Sequence, residues 1–321
     1  MDEDSQKDHL KAYGIAFWTL ENDITVDWLL NYRGGSFLIE NNTEIEKECI
    51  VRGVSYEIIT NVYKQQLQLE LANPESNTDI IKLEKAPKVA VYSPEGNLPW
   101  DDAVTMVLTY SEIPYDIIYD EEILSDLLPM YDWIHLHHED FTGQYGKFYS
   151  SFKNAPWYIE QKRNFEADAN KLGYSKVSTQ KLEVALKIKE FLAGGGFLFA
   201  MCSATDSYDI ALASEGVDIC EHMFDGDPIN SSAQQLLNFN KSIAFEDFKL
   251  ITNPNIYEFS NIDVTRGRKV PRNQDFFTLF EFSAKWDPVP TMLCQNHSQI
   301  IKGFMGQTTA YNKDLIKSEV L

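Results

Sequence analysis

The sequence predicts an α/β protein that has a mostly parallel sheet and a small N-terminal β-rich unit. From residue 88 onward, short apolar runs alternate with helical patterns, which is typical of repeated βα units. Before residue 86, aromatic and β-branched runs are separated by turn residues. The 321 residues are 44% hydrophobic and 13% aromatic, which is enough for a large core with a smaller appendage. We therefore predict a small α+β unit over residues 1–85 and an α/β domain over 86–321.

The N-terminal unit is predicted from its turns and periodicity. The runs with strand character are residues 13–20, 25–30, 37–39 and 54–59. The runs with helical periodicity are residues 44–53 and 61–71. The first two strands flank Glu21-Asn22-Asp23, which indicates a hairpin. The turn Arg33-Gly34-Gly35 leaves two interpretations open, an edge unit that packs on the main domain or an anion-binding turn.

The α/β domain is predicted from four apolar runs that suit buried parallel strands. These runs are residues 88–92, 115–119, 132–140 and 197–201. The helical patterns that accompany them are residues 101–108, 121–128, 158–172, 179–192 and 206–213. The segment 141–178 is too long and aromatic for a simple βα connection, so we predict an insertion or lid there. Further along, the pattern indicates a helix over 231–237 and strands over 245–251, 276–282 and 289–295.

Composition and charge exclude several classes of partner. The formal net charge of −21 argues against binding to nucleic acid or to an anionic membrane, since both attract basic surfaces. No apolar run approaches the length of a membrane span, so no membrane insertion is predicted. The four cysteines are widely spaced and form no CxxC pair, which excludes a disulfide scaffold and a zinc knuckle. The expected partner is therefore a small-molecule substrate.

The first residues of the chain indicate the cellular compartment of the protein. Met1-Asp2-Glu3-Asp4 is acidic and polar, unlike a signal peptide, so the chain as given predicts a cytoplasmic protein. An exported or periplasmic protein is the alternative if the natural N-terminus lies upstream.

Cys202 is a candidate nucleophile because it lies between a predicted strand and a predicted helix. Such an elbow needs small flanking residues, and Ser203 and Ala204 supply them. The helix N-terminus favours a thiolate, and the Ser203 N–H could form half of an oxyanion hole. A buried free thiol is the alternative interpretation. His137 or His297 is the expected base, with His222 as a further choice.

A second candidate is the run His135-Leu136-His137-His138-Glu139-Asp140 at the end of a predicted strand. Three of the six histidines lie here, next to two acids, which indicates a catalytic or binding role for His137, His138, Glu139 and Asp140. Strand alternation places His135, His137 and Glu139 on one face, which leaves a zinc site as an alternative. Satisfied structural histidines are the remaining interpretation. The loop 94–102, with Asp101, is expected to meet this run and Cys202 at the carboxyl ends of the strands.

A third candidate is a phosphate-binding loop. The run Cys202-Ser203-Ala204-Thr205-Asp206-Ser207 resembles the Ser-Gly-Gly-x-Asp-Ser pyrophosphate loop of ATP-pyrophosphatase domains, with Asp206 and Ser207 matching. Both glycines are replaced, and those glycines let backbone amides approach phosphate. Asp206 therefore stays a candidate binding residue. No cofactor is predicted, and ATP and zinc are the alternatives.

Longer stretches resemble known families. The βα alternation from Lys88, with the Cys202 elbow, is similar to the class I glutamine amidotransferase-like fold, which implies a flavodoxin-like sheet. Residues 12–16, 28–35, 135–140 and 197–207 resemble a bacterial family commonly labelled asparagine synthetase B. That label implies ATP-dependent, glutamine-hydrolysing amide synthesis. Asparagine synthetases of that type carry a catalytic cysteine directly after Met1, where this chain has Asp2.

These observations predict an amidotransferase-like or hydrolase-like protein. Cys202 would be the nucleophile, His137 or His297 the base, and Ser203 the oxyanion donor. Asparagine synthesis, and a non-catalytic binding module that keeps the fold, are the two alternatives.

Overall fold

A computed structural model describes residues 1, 4–94, 103–267, 270–278, 283–285, 297–298, 300–303 and 309–317. The chain divides into two units, each built from three segments. The first unit comprises Met1–Pro87, Pro99–Pro114 and Pro271–Gly306. The second unit comprises Lys88–Leu98, Tyr115–Val270 and Gln307–Leu321. Of the predicted features, Asp101, most of the loop 94–102, and the strand 289–295 lie outside the described residues.

The second unit is built around a four-stranded parallel sheet. Its strands are β4 (Val89–Tyr92), β5 (Asp116–Ile118), β6 (Trp133–Leu136) and β7 (Phe197–Ala200). They lie in the order β5-β4-β6-β7, and all three pairings are parallel. Every residue of β4 is buried, as expected for a central parallel strand covered by helices. The four apolar runs that predicted these strands are confirmed, and so is the α/β class.

Helices of the second unit connect and flank these strands. They are α5 (Asp120–Leu124), α6 (Tyr149–Phe152), α7 (Pro156–Lys171), α8 (Val177–Ala193), α9 (Cys202–Ala213), α10 (His222–Asp225) and α11 (Ala233–Leu236). The main core lies between the sheet and helices α8 and α9 and includes Ile134, Ile188 and Leu212, all fully buried. Gly194 caps α8 as predicted, because the chain must turn there into β7.

The first unit contains a three-stranded antiparallel sheet in the order β2-β1-β3. Its elements are α1 (His9–Glu21), β1 (Val26–Leu30), β2 (Ser36–Ile39), α2 (Thr43–Arg52), α3 (Asn61–Leu71), β3 (Asp79–Leu83) and α4 (Ala103–Ser111). A two-stranded antiparallel sheet of β8 (Phe276–Thr278) and β9 (Ile300–Lys302) belongs to the same unit. The predicted strand over 37–39 and the helix over 61–71 are confirmed.

The predicted strand over residues 13–20 is wrong, since these residues belong to α1. Asp8 caps the helix by accepting the N–H of Lys11 at 3.0 Å. The small residue Gly14 allows α1 to approach α4, because a Cβ there would lie 1.9 Å from the Ser111 carbonyl oxygen. The aromatic composition of this run thus indicated a strand, while its burial pattern has helical spacing. The strand that completes the sheet is instead β3, which pairs with β1.

Two other predicted strands are also wrong. Residues 54–59 have no regular structure. Residues 245–251 form only isolated bridges, Phe245 to Ile316 and Leu250 to Ser260. Side chains supply acceptors for this segment: Asp209 accepts the N–H of Phe245 at 2.7 Å, Asn261 that of Lys249 at 2.7 Å and Gln234 that of Leu250 at 2.8 Å.

Candidate functional site

The candidate site lies at the carboxyl ends of the parallel strands of the second unit. There β6 leads into His137–Asp140 and β7 into Cys202, and β6 and β7 are neighbours in the sheet. Open parallel sheets bind ligands at this edge. The predicted neighbourhood of Cys202 and the histidine run is therefore present in the backbone.

Two main-chain hydrogen bonds and one from a side chain hold the two segments side by side. The Met201 N–H donates to the Leu136 oxygen at 2.9 Å, and the Ala204 N–H donates to the His137 oxygen at 3.3 Å. The Ser203 hydroxyl donates to the His138 oxygen at 3.0 Å. The start of α9 is thus fixed against the histidine run by three consecutive contacts.

Cys202 has a left-handed backbone with a φ of 49°. Few residues other than glycine adopt this conformation, and such strain collects at functional sites. It arises where the chain turns from β7 into α9, with Cys202 as the first helical residue. The Tyr311 hydroxyl donates to the Cys202 carbonyl oxygen at 2.7 Å and holds this turn from outside.

The Cys202 thiol is half-buried, and no described residue hydrogen-bonds its Sγ. The N–H of Ser203, at the second position of α9, has no acceptor among the described residues. The first N–H groups of a helix point along its axis and out of its N-terminus, where they can bind an anion. The predicted oxyanion donor is therefore available next to the thiol.

The histidine run contains one imidazole pair. The Nδ1 atoms of His137 and His138 are 3.1 Å apart, so one of the two nitrogens carries the shared proton. Glu139 is buried and accepts the N–H of His137 at 2.9 Å. Burial raises the pKa of Glu139, and the nearby His138 acts in the opposite direction. His137 is half-buried and His138 exposed, which leaves His137 the better sheltered of the pair.

Asp140 organises the loop that follows β6. It accepts the N–H of Thr142 at 2.7 Å, the Thr142 hydroxyl at 2.6 Å and the N–H of Gly146 at 2.9 Å. Next to this loop, the fully buried Lys147 donates to the carbonyl oxygens of Ile251 and Asn253 at 2.7 and 3.3 Å. Burial lowers the pKa of Lys147 to about 8, although Asp140 counteracts it. Asp140 thus acts as a structural residue of this loop in the structure.

Asp206 lies one helical turn after Cys202 and is 2% exposed. Burial raises its pKa well above the usual range, and the charges of Asp263 and Asp140 add to that effect. Asp263 forms a β-bridge with Tyr311, so two bridged segments bring a carboxyl group and the Tyr311 hydroxyl to the elbow. Sequence reasoning missed Asp263 and Tyr311, because they reach Cys202 only through tertiary contacts.

A buried ion pair lies at the ends of the neighbouring strands. Lys181 donates to both oxygens of Asp120, at 2.8 and 3.0 Å, and to the hydroxyls of Tyr92 and Tyr119 at 2.8 Å. Burial alone would lower the pKa of Lys181, but Asp120 and Tyr119 outweigh it and raise that pKa. Gln180 donates a further hydrogen bond to Asp120 at 2.8 Å. The sequence analysis did not identify this network, whose members are far apart in the chain.

The two other candidate bases, His297 and His222, each have partners of their own. His297 belongs to the first unit, where its Nε2 lies 2.9 Å from the Tyr13 hydroxyl and its ring stacks on His9 at 4.6 Å. Burial, reinforced by His9, lowers the pKa of His297 to about 4. His222 is exposed, and its Nδ1 lies 2.7 Å from the Gly226 oxygen. Of the candidate bases, His137 is the one whose backbone contacts the Cys202 elbow.

Potential metal ligands gather elsewhere than predicted. Within the described part of the chain, Asp218, Cys220 and Asp225 bring ligand atoms within 4.8 Å of one another, whereas His135, His137 and Glu139 form no such group. Lys176 pairs with Asp218 and Asp225 at 2.8 and 2.9 Å, so an ammonium group already supplies positive charge there. Burial raises the pKa of Cys220 well above its usual range, which disfavours the thiolate that a metal requires.

Comparison of the chain with protein-family models, with curated proteins and with solved structures found no match in any of the three. Within the described residues, no helix has both the length and the apolar character that a membrane crossing requires. The chain is thus an α/β protein with a cysteine elbow at the carboxyl edge of its parallel sheet, and its function must be inferred from the chemistry of that site.

Proposed function

We propose that this protein is a cysteine-dependent amide hydrolase or amidotransferase with Cys202 as its nucleophile. The observation that carries the proposal is the left-handed backbone of Cys202 between β7 and α9, beside a Ser203 N–H with no described acceptor. A strained strand-to-helix turn projects a nucleophile clear of the sheet. The adjacent N–H can then stabilise the oxyanion that forms during acyl transfer.

His137 is the proposed base. Its Nδ1 lies 3.1 Å from the His138 Nδ1, and in the proposed reaction its Nε2 accepts the thiol proton. The thiolate attacks the amide carbon, and the carbonyl oxygen becomes an oxyanion beside the Ser203 N–H. The C–N bond then breaks as His137 returns its proton to the leaving nitrogen. Water attacks the thioester and gives one proton to the thiolate through His137, which releases the acid.

The strand order supports a flavodoxin-like sheet as part of this proposal. In chain order the parallel strands are β4, β5, β6 and β7, and in space they run β5-β4-β6-β7, which is the 2-1-3-4 part of the flavodoxin order. The reversal point of this order lies between β4 and β6. His137, which follows β6, is therefore at the crevice where such sheets bind ligands.

The reactivity of the thiol tests the proposal. We expect iodoacetamide at neutral pH to alkylate Cys202 faster in the folded protein than in urea, with the modified residue identified by peptide mass spectrometry. The buried Cys49 and Cys220 are internal controls and should react more slowly when folded. His137→Asn should slow the reaction of Cys202, while the exposed-site control His222→Asn should leave it unchanged. A folded Cys202 that reacts no faster than the unfolded one would refute the proposal.

A non-catalytic binding module is the second candidate. The observation that favours it is the absence of any described hydrogen-bond partner for the Cys202 Sγ. Asparagine synthesis has less support, because residues 202–207 are helical from the first position instead of forming an open phosphate-binding loop. Calorimetry with ATP distinguishes asparagine synthesis from the binding module, because only asparagine synthesis requires nucleotide binding.

A further inference from the structure

We propose that the first unit binds an extended, uncharged segment of a partner protein, which adds as a fourth strand to the sheet β2-β1-β3 at the edge of β2. The segment would fill a cavity of about 470 Å³ that lies along this edge. All residues that line the cavity belong to the first unit. The inference goes beyond the proposed hydrolase and does not depend on it.

The edge strand β2 has unused main-chain hydrogen-bonding groups. It lies at the end of the sheet order, so β1 is its partner on one side. No described residue outside β1 makes a main-chain hydrogen bond to residues 36–39. The strand Ser36-Phe37-Leu38-Ile39 contains neither the charged residues nor the proline that commonly protect an edge. The outer side of β2 is therefore suited to pairing with an incoming strand.

Helices cover both faces of the sheet at this edge. Ile39 packs against the apolar cluster that contains Cys49 of α2. Leu38, which points to the opposite face, packs against the cluster that contains Leu67 of α3. Cys49 and Leu67 both line the cavity, so the cover of each face extends to the space beside β2. A strand added there would be buried on both faces, which requires apolar residues at successive positions.

The segment 54–59 forms another wall of the cavity. It has no regular structure, and within the described part of the chain nothing hydrogen-bonds to the main-chain groups of residues 56–59. Ile58 lines the cavity and is 64% exposed, so apolar surface continues to its opening. Two walls with unused main-chain groups favour a peptide over a purely apolar molecule, because only a peptide can pair with those groups.

The charges that line the cavity match an uncharged occupant. Arg33 pairs with Glu57 at 3.3 Å, and Lys64 pairs with Glu40 at 2.5 Å. The third carboxylate of the lining, Glu46, accepts a tyrosine hydroxyl at 3.4 Å. The lining thus holds little net charge, although the chain as a whole carries −21. A charged residue in the added strand would lose hydration against apolar walls without gaining an unpaired partner of opposite charge.

Binding of a strand-forming peptide to the intact protein tests the inference. The probe is the capped peptide Ser-Thr-Val-Ile-Val-Thr-Ser, and its control has Ser-Gln-Ser in place of Val-Ile-Val. We expect calorimetry to detect binding of the apolar peptide only. At about ten times its Kd, this peptide should slow hydrogen exchange of residues 36–39 about tenfold, because their outer N–H groups become paired. Residues 79–83 of β3, the other edge of the sheet, are the internal control and should exchange at an unchanged rate.

A matched pair of variants tests the position of the peptide. Ile58→Ser should weaken the apolar peptide about fivefold, because it removes apolar surface from one wall of the cavity. The high exposure of Ile58 makes this change compatible with folding. Leu69→Ser is the control, since Leu69 is 77% exposed and does not belong to the lining, and it should bind the peptide like the wild type.

Four results would overturn the inference. The first is no binding of the apolar peptide, and the second is equal binding of the peptide and its control. The third is binding without slower exchange of residues 36–39, which would show an apolar ligand site instead of strand addition. The fourth is a protein that sediments as a dimer and protects residues 36–39 without peptide, which would assign this edge to a second copy of the chain.

Discussion

The backbone conformation of Cys202 depends both on the local chain and on a residue that is distant in the sequence. Its left-handed φ of 49° follows from the turn between β7 and α9, which is local. The hydrogen bond from Tyr311, 109 residues further along the chain, is distant. A strained backbone persists only where its surroundings hold it in place. The candidate nucleophile therefore depends on a hydroxyl that no local pattern identifies.

Tyr311→Phe should loosen the Cys202 turn without removing the ring. The loss of one hydrogen bond corresponds to about 1 kcal/mol, so we expect the alkylation rate of Cys202 to fall about fivefold. The matched control is Tyr174→Phe, whose hydroxyl donates no hydrogen bond to a described residue. If Tyr311→Phe and its control react alike, Tyr311 does not position the thiol.

Lys147 should make stability depend on pH in a defined direction. Burial lowers its pKa from 10.5 to about 8 in the folded protein, so between these values the unfolded chain binds more protons. The free energy of unfolding contributed by Lys147 should therefore rise from pH 8 to pH 10.5. Urea unfolding of the wild type and Lys147→Met at pH 7, 8, 9 and 10 measures this difference. The exposed Lys153→Met provides the control, and parallel profiles for wild type and Lys147→Met would contradict the prediction.

At the scale of elements, α5 and α8 are joined by buried charge as well as by apolar packing. Asp120 begins α5, and Lys181 lies in the first half of α8. Both side chains are at most 5% exposed. A buried ion pair adds little to the stability of the folded protein, but removing one partner leaves the other charge unpaired in the core. This pair therefore makes the packing of these two helices sensitive to single substitutions.

Lys181→Met should destabilise the second unit by about 3–5 kcal/mol, because Asp120 is left buried without its cation. Lys187→Met on the same helix is the control, because Lys187 pairs at the surface with Asp126 and its loss should leave stability nearly unchanged. Urea unfolding followed by circular dichroism measures both. The double variant Lys181→Met, Asp120→Leu should recover part of the loss, and no recovery would argue against an unpaired charge as the cause.

At the scale of the whole molecule, the net charge of −21 opposes compactness through self-repulsion. Acids outnumber bases by 49 to 28, while many ion pairs of the described residues are exposed and contribute little. Screening should therefore stabilise the folded state.

We expect the melting temperature to rise when sodium chloride is increased from 10 to 300 mM, roughly the change from weak to strong screening. Sucrose at matched osmolality is the control for general solvent effects, and a chain with several surface glutamates replaced by glutamine should respond less. A melting temperature that falls or stays constant with salt would show that attractive pairs outweigh the repulsion.

The sequence alone determined the four parallel strands, β4 to β7, because each is a short apolar run. Burial differs among them, since β4 is buried at every residue whereas the edge strands β5 and β7 are partly exposed. The Cys202 elbow was predicted for the same reason, since the turn follows the strand directly in the chain. The prediction from composition was wrong at α1, where aromatic residues suggested a strand although the buried positions have helical spacing.

Tertiary structure decided which side chains meet. Tyr311 and Asp263 reach the elbow through a β-bridge, and Lys181 finds Asp120 across 61 residues of chain. It also placed His297 beside Tyr13 and His9 and left His137 as the histidine next to the elbow. The periodicity of a segment indicates which of its residues face the core and which face solvent. Contacts between distant segments depend instead on how all segments pack together. The strand and the cysteine could therefore be predicted, and the surroundings of the thiol could not.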